Sequence, residues 1–169
     1  MRRKRMYFLW TMGVLTALLI SGCLEEGSDV SLGDGYFVRS IVDGDTIQLQ
    51  NGKFVRYIGI DTPEIRKRVR GVWLYKPEPY SLDAKKLNSE LIGGGRVELE
   101  FDSEEYDKYG RWLAYVHAEG KMVNEEILKA GRAKILVIPP NTKYLKRFKK
   151  AEQEAKDNKR GIWGGGFML

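Results

Sequence analysis

Three short segments carry most of the reactive side chains. VDGDT (Val42–Thr46) and RYIGIDTPE (Arg56–Glu64) place carboxylates beside residues that constrain the backbone, Gly44 and Pro63. DKYGR (Asp107–Arg111) ends on an arginine. These types suit hard-cation and phosphate chemistry. Carboxylate oxygens ligate a divalent cation such as calcium, and guanidinium groups hold oxyanions bidentately. Asp45 and Asp61 would supply two ligands if their strand ends are neighbours. Arg56 and Arg111 would then hold a phosphate beside the metal, and Glu64, ionised near neutral pH, could take a proton from water. Each segment alone has a plainer explanation: a D-G turn, a proline ending a strand, a solvated hairpin tip. Arg56 resists it. Simple alternation along one strand puts Phe54, Arg56, Ile58 and Ile60 on a common face, where a charge among apolar neighbours needs a partner.

Other chemistries are thinly supplied. His117 is the only histidine, set in an apolar strand, so paired-histidine sites are excluded and a Ser-His-Asp triad would have to use it. Zinc sites need Cys and His clusters, which the sequence lacks. Cys23 is the single cysteine, so no intrachain disulfide forms and the domain is expected to stand on its core. The formal charge is +6, but Arg2, Arg3, Lys4 and Arg5 carry much of it; without them 25 basic and 23 acidic residues leave +2. Net charge is therefore a weak argument for a nucleic-acid partner.

The elements that must position these groups follow from patterning. Residues 1–22 read as an export signal: a basic start, an apolar run from Met6 to Ile20 that is shorter than the roughly 20 residues of a spanning helix, then small residues. Ile20-Ser21-Gly22-Cys23 resembles the lipobox of secreted lipoproteins, which implies a lipidated Cys23 and attachment to the outer face of the cell membrane. Residues 23–35 read as a flexible tether, 36–164 as the folded domain and 165–169 as a tail. Strands are expected over Tyr36–Ile41, Thr46–Gln50 and Lys53–Ile60, the last two joined by the hairpin signal Asn51-Gly52. Thr62–Pro79 reads as a long exposed loop. Its RKRVR run (Arg66–Arg70) is able to attract phosphate, and its Trp73, Tyr75 and Tyr80 are able either to stack on a base or to pack on the barrel. A helix capped by Ser81 runs to Ile92. Strands Arg96–Phe101 and Trp112–Ala118 follow, then a helix Val123–Ala130, a brief extended stretch Ala133–Ile138, and a last helix over Thr142–Asn158. Five strands with helices inserted late predict a mainly β, α+β fold: a five-stranded OB-type barrel decorated by three helices.

VDGDT, RYIGIDTPE, DKYGR-x-LAY and GKMVNEE, in this order from about Tyr36 to Trp163, resemble the staphylococcal (thermonuclease-type) nuclease family. The resemblance implies an OB-fold barrel with three helices and calcium-dependent cleavage of DNA and RNA that leaves 3′-phosphates. Carried across, Asp45 and Asp61 would ligate calcium together with the backbone carbonyl of Thr62, and Asp43 would sit just outside the metal shell. Glu64 would be the general base, Arg56 and Arg111 would bind the scissile phosphate, and Lys108 and Tyr109 would lie near a terminal phosphate. The expected state is a monomer with no obligate protein partner. One departure stands out: AKILVIPPNTKY has Val137, Ile138 and Pro139 where the family often places base-stacking tyrosines. The competing reading is a catalytically inactive OB-fold module that binds nucleic acid or protein.

Overall fold

The computed structural model describes residues 35–165; the expectations for the leader, Cys23 and most of the tether lie outside them. Strands β1 (Tyr36–Ile41), β2 (Thr46–Leu49) and β3 (Phe54–Tyr57) form a meander. The Asn51-Gly52 turn closes its second hairpin, with Gly52 at φ 84° and the Asn51 side chain accepting the Lys53 N–H. β4 (Ile60–Asp61), the hairpin β5 (Arg66–Val69) and β6 (Val72–Tyr75), and helix α1 (Ser81–Ile92) come next. Then follow β7 (Arg96–Glu100), β8 (Trp112–Ala118), β9 (Lys121–Met122), α2 (Val123–Lys129), β10 (Lys134–Ile135), α3 (Leu145–Asp157) and a 3₁₀ turn at Gly161–Trp163.

Five strands close on themselves. β1 pairs with β2 and β7, β7 with β8, and β8 runs parallel to β3 with Arg56 opposite Leu113. A register irregularity between Val38 and Ser40 bends β1, as barrel closure requires. Alternation sends Ile47, Leu49, Val55, Tyr57, Val97, Leu99 and Val116 inward. Helix α2 adds Val123, Ile127 and Leu128 to that core, and α3 adds Phe148 and Ala151. The expected five-stranded barrel with three helices is therefore present.

The structure corrects four local expectations. The third strand does not run unbroken to Ile60. It turns at Ile58-Gly59, where Gly59 sits at φ 80° and a Cβ would lie 2.6 Å from the Phe148 ring. Phe54, Arg56, Ile58 and Ile60 thus do not share a face: Phe54 is exposed, whereas Ile58 and Ile60 are buried beyond the bend. Residues 62–79 are not a structureless loop but carry the β5–β6 hairpin, whose Arg70-Gly71 turn has both central residues at positive φ, the I′ arrangement. Ser81 is the first residue of α1 rather than its cap, and its hydroxyl donates to the Glu78 carbonyl at 2.6 Å. The two later helices are slightly shorter than expected, ending at Lys129 and starting at Leu145.

Two buried asparagines tie the helices to the barrel's working end. Asn88 of α1 donates to the Asp43 carbonyl at 3.1 Å and accepts from the Tyr57 hydroxyl at 2.8 Å. Asn124 of α2 accepts the Val116 N–H at 2.9 Å and donates to the Ile58 carbonyl at 2.9 Å, pinning the bend after β3. Buried amides with both ends satisfied favour one arrangement over its competitors.

Candidate active site

The turn between β1 and β2 is built to deliver Asp45. The N–H groups of Val42 and Asp43 donate to the Thr46 carbonyl, and the Asp43 carboxylate accepts the Asp45 N–H at 3.2 Å. Gly44 is required by close approach: a Cβ there would meet the Ala84 Cβ of α1 at 2.6 Å and the Thr62 side chain at 2.8 Å. Asp45 is consequently only 4% exposed. Its Oδ2 accepts from the Thr62 N–H at 2.8 Å and the Thr62 hydroxyl at 3.0 Å, and its Oδ1 accepts from the Thr46 hydroxyl at 3.1 Å.

Arg56 of β3 lies directly opposite Thr46 of β2. Its guanidinium spans the two aspartates: Nη1 contacts Asp45 Oδ2, and Nη2 donates to Asp61 Oδ1 at 2.7 Å. Burial pulls the Arg56 pKa down, and Asp61 and Asp43 pull it back up. The two carboxylates thus meet at one guanidinium. Asp45 and Asp61 offer hard oxygen donors of the type a divalent cation takes, which would leave other positions to water and phosphate. Among the described residues no group of three or more His, Cys, Asp or Glu side chains is placed to hold a metal ion by itself.

Glu64 follows Pro63 and opens onto the same cleft. Its N–H donates to Glu78 Oε2 at 3.0 Å and its carbonyl accepts the Glu78 N–H at 2.9 Å, which fixes the backbone but leaves the carboxylate free for the cleft. Partial dehydration raises the Glu64 carboxyl above its ordinary value, helped by Asp43 and opposed by Arg56. Burial likewise raises Asp43, against the pull of Arg56, the Thr46 hydroxyl and Arg111.

Arg111 is aimed by its own turn. Asp107 accepts the N–H groups of Tyr109 at 2.8 Å and Arg111 at 3.0 Å, and its Oδ2 takes the Arg111 Nε at 2.7 Å. Burial pushes Asp107 up, but these donors outweigh it and hold the carboxyl below the ordinary aspartate value. Lys108 and Tyr109 form the turn's exposed tip, with the lysine Nζ 5.1 Å from the tyrosine ring.

Two clefts meet at the arginines. One, of about 880 Å³, is lined by Asp43, Asp45, Arg56, Glu64 and Arg111, and also by Lys85. The other, of about 450 Å³, is lined by Arg56, Lys108, Tyr109 and Arg111 together with the apolar Leu113, Leu136 and Ile138. The structure thus gathers Asp43, Asp45, Arg56, Asp61, Glu64 and Arg111 at one end of the barrel, with Lys108 and Tyr109 on its rim. Sequence reasoning missed Asp107, Glu78, Thr46 and Lys85. Only Asp107 left a local signal, an aspartate two residues before a backbone donor in a glycine turn.

A closed OB barrel whose acidic turn, Glu64 and two arginines share one cleft defines a narrow class of protein. The chain belongs to the staphylococcal nuclease homologues, whose family model matches residues 54–165. It is 51% identical to the SPbeta prophage-derived endonuclease YokF of Bacillus subtilis (strain 168) over 127 residues, covering 72% of this chain and 41% of that protein. It is 49% identical to Endonuclease YncB of the same strain over 127 residues, covering 72% of this chain and 58% of that one. It is also 37% identical over 145 residues to the Thermonuclease of Staphylococcus intermedius, covering 84% and 83%. The chain spans about half the length of the two Bacillus relatives.

Proposed function

We propose that the protein is a calcium-dependent nuclease that hydrolyses phosphodiester bonds of DNA and RNA and leaves 3′-phosphates. Asp45, Asp61 and the Thr62 carbonyl would hold the cation, which would supply positive charge against the phosphate oxygens. Arg56 and Arg111 bind the scissile phosphate and offset the charge that builds as a fifth oxygen approaches phosphorus. Glu64 takes a proton from the attacking water, whose oxygen bonds to phosphorus as the bond to O5′ breaks and that oxygen takes a proton from solvent. The raised proton affinity of Glu64 makes its ionised form a stronger base. Relatives named endonuclease and thermonuclease support this reading. We further place the enzyme outside the cell, tethered through Cys23, on the strength of the basic start, the short apolar run and the lipobox-like ISGC.

The observation that supports the catalytic reading is the convergence of Asp45 and Asp61 on Arg56, which lines one cleft with Asp45, Glu64 and Arg111. The test is incubation of the purified chain with single-stranded DNA in calcium or in chelator. Calcium-dependent cleavage with 3′-phosphate ends is expected. Strand binding without cleavage under both conditions would mark a catalytically inactive OB module instead.

A further inference from the structure

The β5–β6 hairpin buries none of its eight strand residues. Among the described residues it pairs with no other strand, and it carries Trp73 at 64% and Tyr75 at 68% exposure. Large aromatics left in water on a regular ladder mark an interaction surface. Directly paired residues of an antiparallel ladder share a face. The register puts Arg66 opposite Tyr75 and Arg68 opposite Trp73, so one face presents two guanidinium groups beside two rings. The other face carries Lys67 with Leu74 and Val69 with Val72, and Lys67 is engaged by Glu78 at 2.8 Å. From Arg66 to Tyr75 there is no acidic residue.

The arginine–aromatic face belongs to the catalytic cleft. Arg66, Trp73 and Tyr75 line the same 880 Å³ space as Arg56, Glu64 and Arg111. The hairpin is also rooted there. Its pairing continues through Lys76 N–H to the Ile65 carbonyl at 3.1 Å and Glu78 N–H to the Glu64 carbonyl at 2.9 Å, with Ile65 buried. The arm is thus a direct extension of the backbone that carries Glu64.

We propose that the β5–β6 hairpin is a strand-binding arm, holding single-stranded nucleic acid by stacking unpaired bases on Trp73 and Tyr75 while Arg66 and Arg68 pair with its phosphates. This deepens the nuclease reading and rests on it for the identity of the ligand. A single strand fits because its bases are free to stack on aromatic faces, whereas those of a duplex are already stacked. A lipid surface is disfavoured by the placement: the aliphatic Val69, Val72 and Leu74 lie on the face away from the rings that line the cleft.

The test is fluorescence anisotropy of a labelled strand of about 12 nucleotides, within the usual span of an OB fold, and of the matching duplex. It is run in chelator, so that nothing is cut, on the full chain. Trp73→Ala and Tyr75→Ala are each expected to weaken single-strand binding by about 5-fold to 150-fold, with a smaller effect on the duplex. Arg66→Ala/Arg68→Ala is expected to reduce the slope of log K against log salt by about 1.4. Val72→Ser, on the opposite face, is expected to match the wild type. All five positions are exposed, so melting curves should coincide. Unchanged strand affinity in both aromatic variants overturns the proposal, as does loss of binding to anionic phosphatidylglycerol vesicles with strand affinity intact. A wild type that binds the strand by this face yet never cuts it retires the nuclease reading and supports the arm.

Discussion

Arg56→Met removes the one side chain that holds Asp45 and Asp61 together. Taking one partner from a buried ion pair costs about 3–5 kcal/mol. Two features reduce that here. Asp45 keeps three donors, from the Thr62 N–H, the Thr62 hydroxyl and the Thr46 hydroxyl. The Asp61 side chain is 53% exposed and turns to water. A net loss of about 2–3 kcal/mol follows. At roughly 3–5 °C per kcal/mol for a domain of this size, the melting temperature in chelator falls by about 6–15 °C. Calcium should then stabilise the variant more than the wild type, because no guanidinium competes for the carboxylates. A cation present at a hundred times its Kd restores about 2.7 kcal/mol. Circular-dichroism melts of both proteins, in chelator and in calcium, measure each quantity. A variant that melts within about 2 °C of wild type in chelator, or that gains no more than wild type from calcium, refutes the shared carboxylate site.

Other outcomes are equally specific. Arg111→Ala should lower kcat by about 10²-fold or more on single-stranded DNA with the melt nearly unchanged, since its ion pair with Asp107 is local. Asp107→Ala should give a smaller loss of kcat, because Arg111 remains but is no longer aimed; equal kcat in wild type and this variant would remove Asp107 from the site. Gly59→Ala should destabilise by more than about 1 kcal/mol in denaturant titrations, since it combines positive φ with contact on Phe148. For pH dependence, burial pushes Glu100 up but Lys143, Tyr144 and His117 outweigh it, so its folded pKa lies below the ordinary value. Its contribution is therefore present above that value and lost as pH falls through the folded one. Glu100→Gln should lower the melting temperature at neutral pH, and the gap should close in acid; a gap that persists there would contradict the sign.

Much of the barrel was legible because its signals are local. Asn51-Gly52 marks a hairpin whatever surrounds it, and α1 and α3 bury residues at helical spacing. The acidic turn, the DTPE segment and Arg111 were legible as a set because each pairs a chemical group with a backbone constraint. The break at Ile58-Gly59 was not, since alternation continues through it and the φ demand comes from Phe148, far along the chain. The β5–β6 hairpin was hidden because RKRV and VWLY bury no face, leaving no polar–apolar alternation to read. Partners such as Glu78 for Glu64, or Asn88 for the Asp43 turn, are set by tertiary approach and leave no mark on the local sequence.

The most direct measurement is a crystal structure of the chain with calcium and a deoxynucleoside 3′,5′-bisphosphate. The expected result is one calcium between Asp45 and Asp61, found by its anomalous scattering, with a phosphate in reach of both Arg56 and Arg111. Calcium bound away from this aspartate pair, with the phosphate touching neither arginine, would contradict the proposed site.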